Sequence, residues 1–196
     1  MKDITSNQMK VILQILKNPK EDYNANSISK IIGISSMGAL KILKSLEKEQ
    51  VLISKQIGKG IFYTINFDNS YTKQFLIFIL KREAEHPIPH IKRWVSEIRK
   101  IKNADFAVLY GSVLTKHEKA NDIDVLFAVE QKNFNKLKEE IGNINNLNDK
   151  KIHPLFQSMD HIIENIKKED KVILNAIKGV VVFGEEKLLE VMKMYK

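Results

Sequence analysis

A chain of 196 residues that is 43% hydrophobic and 29% charged has the make-up of a globular protein, with room for two small domains or one of ordinary size. It lacks the run of about 18 apolar residues that a membrane helix needs, and Met1-Lys2-Asp3-Ile4 does not open a signal peptide. A cytoplasmic location without membrane contact is the expectation, and the absence of cysteine excludes disulfides, thiolate metal sites and cysteine nucleophiles. The net charge of +8 is unevenly spread. Residues 1–70 hold 10 Lys/Arg against 6 Asp/Glu, residues 71–103 hold 8 against 3, and the remainder 14 against 15. A basic first half suits a nucleic-acid-facing module joined to a domain with a different task, although lysine is abundant throughout.

In chain order, Met9, Ile12, Leu13 and Leu16 recur at helical spacing and predict an amphipathic helix ending near Asn18-Pro19. Asn24 is placed to cap a short helix over 25–32 with Ile28, Ile31 and Ile32 inward. Gly33-Ile34-Ser35 then makes a tight turn, and Ser35 caps a longer helix reaching about Gln50. On that helix Leu40, Leu43 and Leu46 share one stripe, and Met37, Lys41 and Lys44 another. Two strands follow, over 51–55 and 61–67, joined by Gln56-Ile57-Gly58-Lys59-Gly60, whose glycines permit a hairpin turn. Helix, helix-turn-helix and basic-tipped hairpin together resemble the winged-helix DNA-binding domains of prokaryotic regulators. The resemblance implies that Ser36, Met37, Lys41 and Lys44 face DNA, with Lys55 and Lys59 near phosphates. A protein-docking or dimerisation role for the same module stays open.

Residues 71–82 read as a helix in which Phe75-Leu76-Ile77-Phe78-Ile79-Leu80 is apolar all the way round. Such a helix is expected to be buried on every side, either between two domains or in a homodimer interface. The expected division is therefore 1–70, a connector over 71–89, and 90–196. Glu85-His86-Pro87-Ile88-Pro89-His90 breaks the helix. Its two histidines are read as exposed loop residues in preference to a shared metal site. A further helix over 91–102 turns Ile91, Trp94, Val95 and Ile98 inward and Lys92, Arg93, Arg99 and Lys100 outward.

Phe106 to Tyr110 is an apolar strand running into Gly111-Ser112. Nine residues separate Ser112 from Asp122, where Asp122-Ile123-Asp124-Val125 opens a second strand. Alternation puts both carboxylates on one side and Ile123 and Val125 in the core. Two neighbouring carboxylates repel unless a cation lies between them, and a hard ion such as Mg²⁺ (or Mn²⁺) fits oxygen ligands of this kind. Further on, 133–144 reads as a helix, 151–156 as a strand, 159–168 and 171–177 as helices, 179–184 as a short strand, and 185–195 as a terminal helix burying Leu188, Leu189 and Met192.

The Gly-Ser turn and the Asp-x-Asp strand resemble the nucleotidyltransferase superfamily of DNA polymerase beta, most closely its minimal branch, over roughly residues 90–184. The resemblance implies an α/β (α+β) fold, a winged helix followed by a small nucleotidyltransferase domain whose mixed sheet is flanked by helices. It implies Gly111 and Ser112 as nucleotide-binding residues, and Asp122 and Asp124 as catalytic metal ligands. Lys116 and Lys119 are further, unspecific candidates for contact with the phosphates. The family brings a third carboxylate on a later strand, near His153 here, where this chain has no Asp or Glu. Asp149 and Asp160 flank that strand, and His153 is read as a surface or packing residue ahead of a stand-in for the acid.

Two functions follow as expectations. One is Mg²⁺-dependent transfer of NMP from an NTP, ATP first, to a hydroxyl acceptor. Because some minimal members modify a toxin partner's tyrosine, a protein acceptor is favoured. The alternative is a DNA-binding regulator whose degenerate nucleotidyltransferase domain only binds a nucleotide or a partner.

Overall fold

The computed structural model of the chain describes residues 4–85 and 88–195, which divide into two compact units, one ending at Ile79 and one spanning Leu80–Tyr195. The fold is mixed α/β, with one two-stranded antiparallel sheet and one four-stranded mixed sheet. Among the described residues no helix is long and apolar enough to cross a membrane.

The first unit begins with α1 (Ser6–Lys17), started by a capping box in which Thr5 and Gln8 exchange hydrogen bonds. Asn24 and Ser27 repeat that arrangement at α2 (Ala25–Ile32), and Gly33 ends it at φ 73°, a left-handed cap that glycine adopts without strain. Ser35 caps α3 (Ser36–Lys48) through Gly38 N–H at 3.0 Å. The hairpin pairs β1 (Leu52–Ile57) with β2 (Gly60–Ile65) in antiparallel register, Ile57 opposite Gly60, with Gly58 at φ 59° in the two-residue turn.

Two inward stripes differ from expectation. In α1, Val11, Ile12, Ile15 and Leu16 are buried while Met9 and Leu13 are only partly covered; in α2, Ile28 is buried but Ile31 is 51% exposed. Helices of 8 and 12 residues carry apolar side chains on more than one face, and tertiary packing chooses among them. Gln50, held at φ 59°, offers its carbonyl to three side chains: Asn66 Nδ2 at 2.9 Å, Thr72 Oγ1 at 3.0 Å and Asn69 Nδ2 at 3.4 Å. This one acceptor ties the end of α3 to the residues after the hairpin and to α4 (Ser70–Ala84).

Within α4, Leu76, Ile77, Ile79 and Leu80 are buried, but Phe78 is 50% exposed and Tyr71 also faces solvent. The expectation of burial on every side is therefore not met. Tyr71 and Phe78 lie seven residues apart on one face, and Tyr71 shields itself by stacking on Phe75 at 5.8 Å between ring centres.

The second unit is built on a sheet of order β5-β4-β3-β6, made from β3 (Phe106–Tyr110), β4 (Ile123–Ala128), β5 (Ile152–Gln157) and β6 (Val180–Phe183). β3 pairs antiparallel with β4 and β6. The β4–β5 pair is parallel and is joined by α7 (Phe134–Leu147), since parallel neighbours need a crossover. One face packs Ala107, Leu109, Val125 and Phe127 against Ile91, Trp94, Val95 and Ile98 of α5 (Pro89–Ile98) and Leu137, Ile141 and Ile144 of α7. The alternate strand residues Phe106, Val108 and Leu126 are buried on the other face. There α8 (Met159–Lys167), α9 (Lys171–Ala176) and α10 (Glu185–Tyr195) contribute Ile162, Ile173, Leu188, Leu189 and Met192.

α5 stops at Ile98, four residues short of expectation. The Glu140 carboxylate on α7 accepts the N–H groups of Lys102 and Asn103 at 3.1 Å, which gives those donors a partner outside the helix.

Candidate functional site

Asp122 stands in the turn before β4 and Asp124 is its second residue; Ile123 and Val125 between and after them are fully buried. The strand thus anchors its apolar face in the core and offers the carboxylates at the opposite side. Cross-strand register decides what they meet. Antiparallel pairing sets Tyr110 opposite Asp124 on β3, and parallel pairing sets His153 opposite Asp124 on β5. The three ligand atoms from Asp122, Asp124 and His153 all lie within 4.8 Å of one another, and His153 Nδ1 is 3.3 Å from Asp124 Oδ1.

Gly111 closes the site from the strand end. Its φ of +77° lies in the left-handed region, and a Cβ there would collide with the Asp124 carboxylate. The glycine is therefore needed twice, for the backbone turn and for the room that Asp124 occupies. Ser112 follows at the start of the four-residue helix α6 (Val113–Lys116). Its carbonyl accepts Lys116 N–H at 2.7 Å and Thr115 N–H at 3.1 Å, while its hydroxyl makes no capping bond to the helix. Lys116 and Lys119 are solvent-exposed in α6 and the 3₁₀ turn that follows.

Tyr110 is a site neighbour that sequence reasoning passed over; its place opposite Asp124 in the β3–β4 register puts the two side chains on one face. Burial pushes its phenol above the ordinary tyrosine value, and the negative charge of Asp124 pushes it further in the same direction. Among the described residues, Asp149 and Asp160 do not join the group, so the position across from Asp124 belongs to the imidazole of His153, whose side chain is 73% exposed. Two carboxylate oxygens and one ring nitrogen converging at this range suit a divalent cation, and the groove left by Gly111 gives Asp124 a fixed seat.

The other histidine pair divides. His86 lies outside the described residues. His90 is the second residue of α5 and is partly buried, not an exposed loop residue; Pro89 starts the helix one residue earlier. Burial and the nearby Lys150 charge both lower its pKa.

In the first unit, Met37, Lys41 and Lys44 follow each other at i, i+4 and i+7 and are all exposed, with Met37 at 62%. Ser36 is exposed as well, with its Oγ 3.2 Å from Ser29 Oγ across the helix-turn-helix. Lys55 on β1 and Lys59 in the turn are exposed at the hairpin.

Residues 93–184, just under half of the chain, match the family model described as polymerase beta, nucleotidyltransferase. That span holds all four strands of the second sheet, Gly111-Ser112, both aspartates and His153. No curated protein matches the chain. Among solved structures, Lactococcus lactis ZitR, a zinc-responsive MarR family member, is similar at 16% identity and a TM-score of 0.35, over 52% of this chain and 65% of that one. The Streptococcus pyogenes adhesin competence repressor AdcR is similar at 13% identity and a TM-score of 0.37, over 52% and 70%. A homodimeric winged helix-turn-helix DNA-binding domain from Mycobacterium bovis, a possible ArsR-family regulator, is similar at 16% identity and a TM-score of 0.34, over 44% and 75%. This chain thus spans about two thirds of the first two proteins, and likeness at this level says nothing of what it binds.

Proposed function

We propose that the second unit binds an NTP, ATP first, together with a divalent cation, and transfers the nucleotidyl group to a hydroxyl acceptor. The observation that carries the reading is the convergence of Asp122, Asp124 and His153 beside Gly111-Ser112, within a span that matches the nucleotidyltransferase model. Phosphoryl transfer asks a protein mainly for positioning and neutralisation of charge. Asp122 and Asp124 would hold the cation, and Gly111 and Ser112 would receive the phosphates, the serine hydroxyl being unused by the helix it begins. When bound, the cation neutralises the triphosphate and makes the acceptor hydroxyl easier to deprotonate. In the reaction the acceptor hydroxyl gives up its proton to solvent, its oxygen bonds to the α-phosphorus, and the bond from that phosphorus to the bridging oxygen breaks so that pyrophosphate leaves. A protein acceptor, such as a toxin partner's tyrosine, is the preferred class.

The first unit is proposed to bind DNA as a homodimer, with Ser36, Met37, Lys41 and Lys44 toward the major groove and Lys55 and Lys59 toward phosphates. Three helices and a hairpin with this exposed basic stripe support that reading. The second reading of the whole protein is a regulator that binds nucleotide without turning it over. Its support is the imidazole found where the family resemblance expects an acid.

Incubation with each α-labelled NTP and Mg²⁺ or Mn²⁺ separates the two. Label on the protein or on an added cell extract, lost in Asp122→Ala/Asp124→Ala, is the expected result. Saturable nucleotide binding with no transfer selects the regulator. The double variant is expected to lose nucleotide binding while melting at the same temperature or higher, because two like charges are removed. A variant that binds NTP as the wild type does, or fails to fold, defeats the assignment. For the first unit, Lys41→Glu/Lys44→Glu should weaken DNA binding about tenfold or more and reduce the salt dependence by about two counterions. Unchanged affinity in a fluorescence-anisotropy titration would remove α3 from the DNA interface.

A further inference from the structure

The geometry points to a specific role for His153: it is a nitrogen ligand in the metal site, and it turns that site's preference from Mg²⁺ toward first-row transition ions, Mn²⁺ modestly and Co²⁺ more strongly. The inference rests on the reading of Asp122 and Asp124 as metal ligands. It adds a third ligand and a choice of metal.

Three observations carry it. His153 Nδ1 is 3.3 Å from Asp124 Oδ1 and, with Asp122, lies within the 4.8 Å span of a shared coordination centre. The placement is fixed by the backbone. Parallel pairing of β4 and β5 sets Asp124 and His153 side by side, and the register continues unbroken from Ile123↔Ile152 to Ala128↔Gln157. Asp149 and Asp160, the acids nearest in sequence, stay out of the group. A histidine kept there for packing would be covered, whereas this ring is 73% exposed and, among the described residues, its polar side-chain partner is Asp124.

The chemistry follows from the donor change. Replacing a carboxylate by a neutral imidazole exchanges a hard, charged oxygen for a borderline nitrogen. Mg²⁺ prefers oxygen and gives up its water reluctantly, whereas first-row transition ions accept imidazole readily and bind more tightly along the series. The site loses one negative charge relative to three acids. Mg²⁺, which depends on charge, loses more by this than an ion that gains a nitrogen bond. The alternative role, proton acceptor from the hydroxyl, needs the same nitrogen free; His153 cannot hold a metal through Nδ1 and accept a proton there together.

The test is Mn²⁺ binding to the full chain, read by electron paramagnetic resonance with and without α,β-methylene-ATP, and competed with Mg²⁺. Wild type, His153→Ala, His153→Asp and Asp122→Ala/Asp124→Ala are compared. Wild type should show a coordinated imidazole nitrogen in the pulsed spectrum, absent from His153→Ala. His153→Ala should weaken Mn²⁺ about tenfold with little change for Mg²⁺, and His153→Asp should cut the Mn²⁺-over-Mg²⁺ preference at least about tenfold. No nitrogen coupling, with equal preference in wild type and His153→Asp, overturns the inference. If Mn²⁺ binding is then still lost in the double aspartate variant, the nucleotide-site reading survives without it. Failure of wild type to bind Mn²⁺ under either condition overturns both. Because His153 is exposed, its variants should fold, and equal melting temperatures confirm that the metal data compare intact proteins.

Discussion

Gly111→Ala should destabilise the second unit by about 2 kcal/mol or more, measured by urea unfolding. Two separable costs add up. Forcing alanine to a φ of +77° costs about 1–2 kcal/mol. Driving its Cβ into the Asp124 carboxylate costs about 1–3 kcal/mol more, by analogy with an overfilled core. A double-mutant cycle separates them. In an Asp124→Ala background the carboxylate is gone and only a tight 3.2 Å approach to the Cβ of residue 124 remains, so Gly111→Ala should cost little beyond the backbone part, a coupling of about 1 kcal/mol or more. The single variant should also bind metal poorly, because the carboxylate has lost its seat. Additive costs would mean that Asp124 swings aside freely and that Gly111 serves the turn alone.

Phe127→Ala should cost about 3–5 kcal/mol, the range for an aromatic deleted from a packed interior. Phe127 is fully buried on β4, stacks on Phe156 at 6.2 Å, and Phe156 in turn meets Phe134 edge-on at 5.0 Å. Against a total stability of about 5–15 kcal/mol for a domain, that loss leaves a marginal fold. Leu147→Ala is the control. At 82% exposure on the end of α7, it should change stability by no more than about 0.5 kcal/mol. Similar losses at both positions would contradict the burial that defines this core.

Much of the architecture was legible in the sequence. β3 begins at Phe106 and ends at Tyr110, α2 spans Ala25–Ile32 behind its Asn24 cap, and α10 spans Glu185–Tyr195, as their apolar periods and capping residues predict. In α5 the four expected inward residues Ile91, Trp94, Val95 and Ile98 are all buried. The rotation of the helices was not legible: Ile31 on α2 and Phe78 on α4 are as apolar as their buried neighbours, and only tertiary packing turns them outward.

The candidate site divides in the same way. Two acids at i and i+2 on a strand announce a shared side without any partner. That Asp124 needs the empty space at Gly111, and that it stands beside His153, depends on registers between strands far apart in the chain. The β4–β5 register is set through the α7 crossover, whose length in residues does not specify which pair of side chains it aligns. The resemblance to a nucleotidyltransferase pointed to the vicinity of His153, but only the register made the imidazole a neighbour of the carboxylate.

Trp94 has a consequence for any study of this molecule in solution. It is the chain's single tryptophan, buried in the α5–β-sheet core of the second unit. Its emission therefore follows solvent entry into that unit and is blind to the first one. Far-ultraviolet dichroism sums the helices of both. The chain thus carries an optical label on one half only: unfolding midpoints that coincide by the two signals describe one cooperative transition, and midpoints that separate describe two.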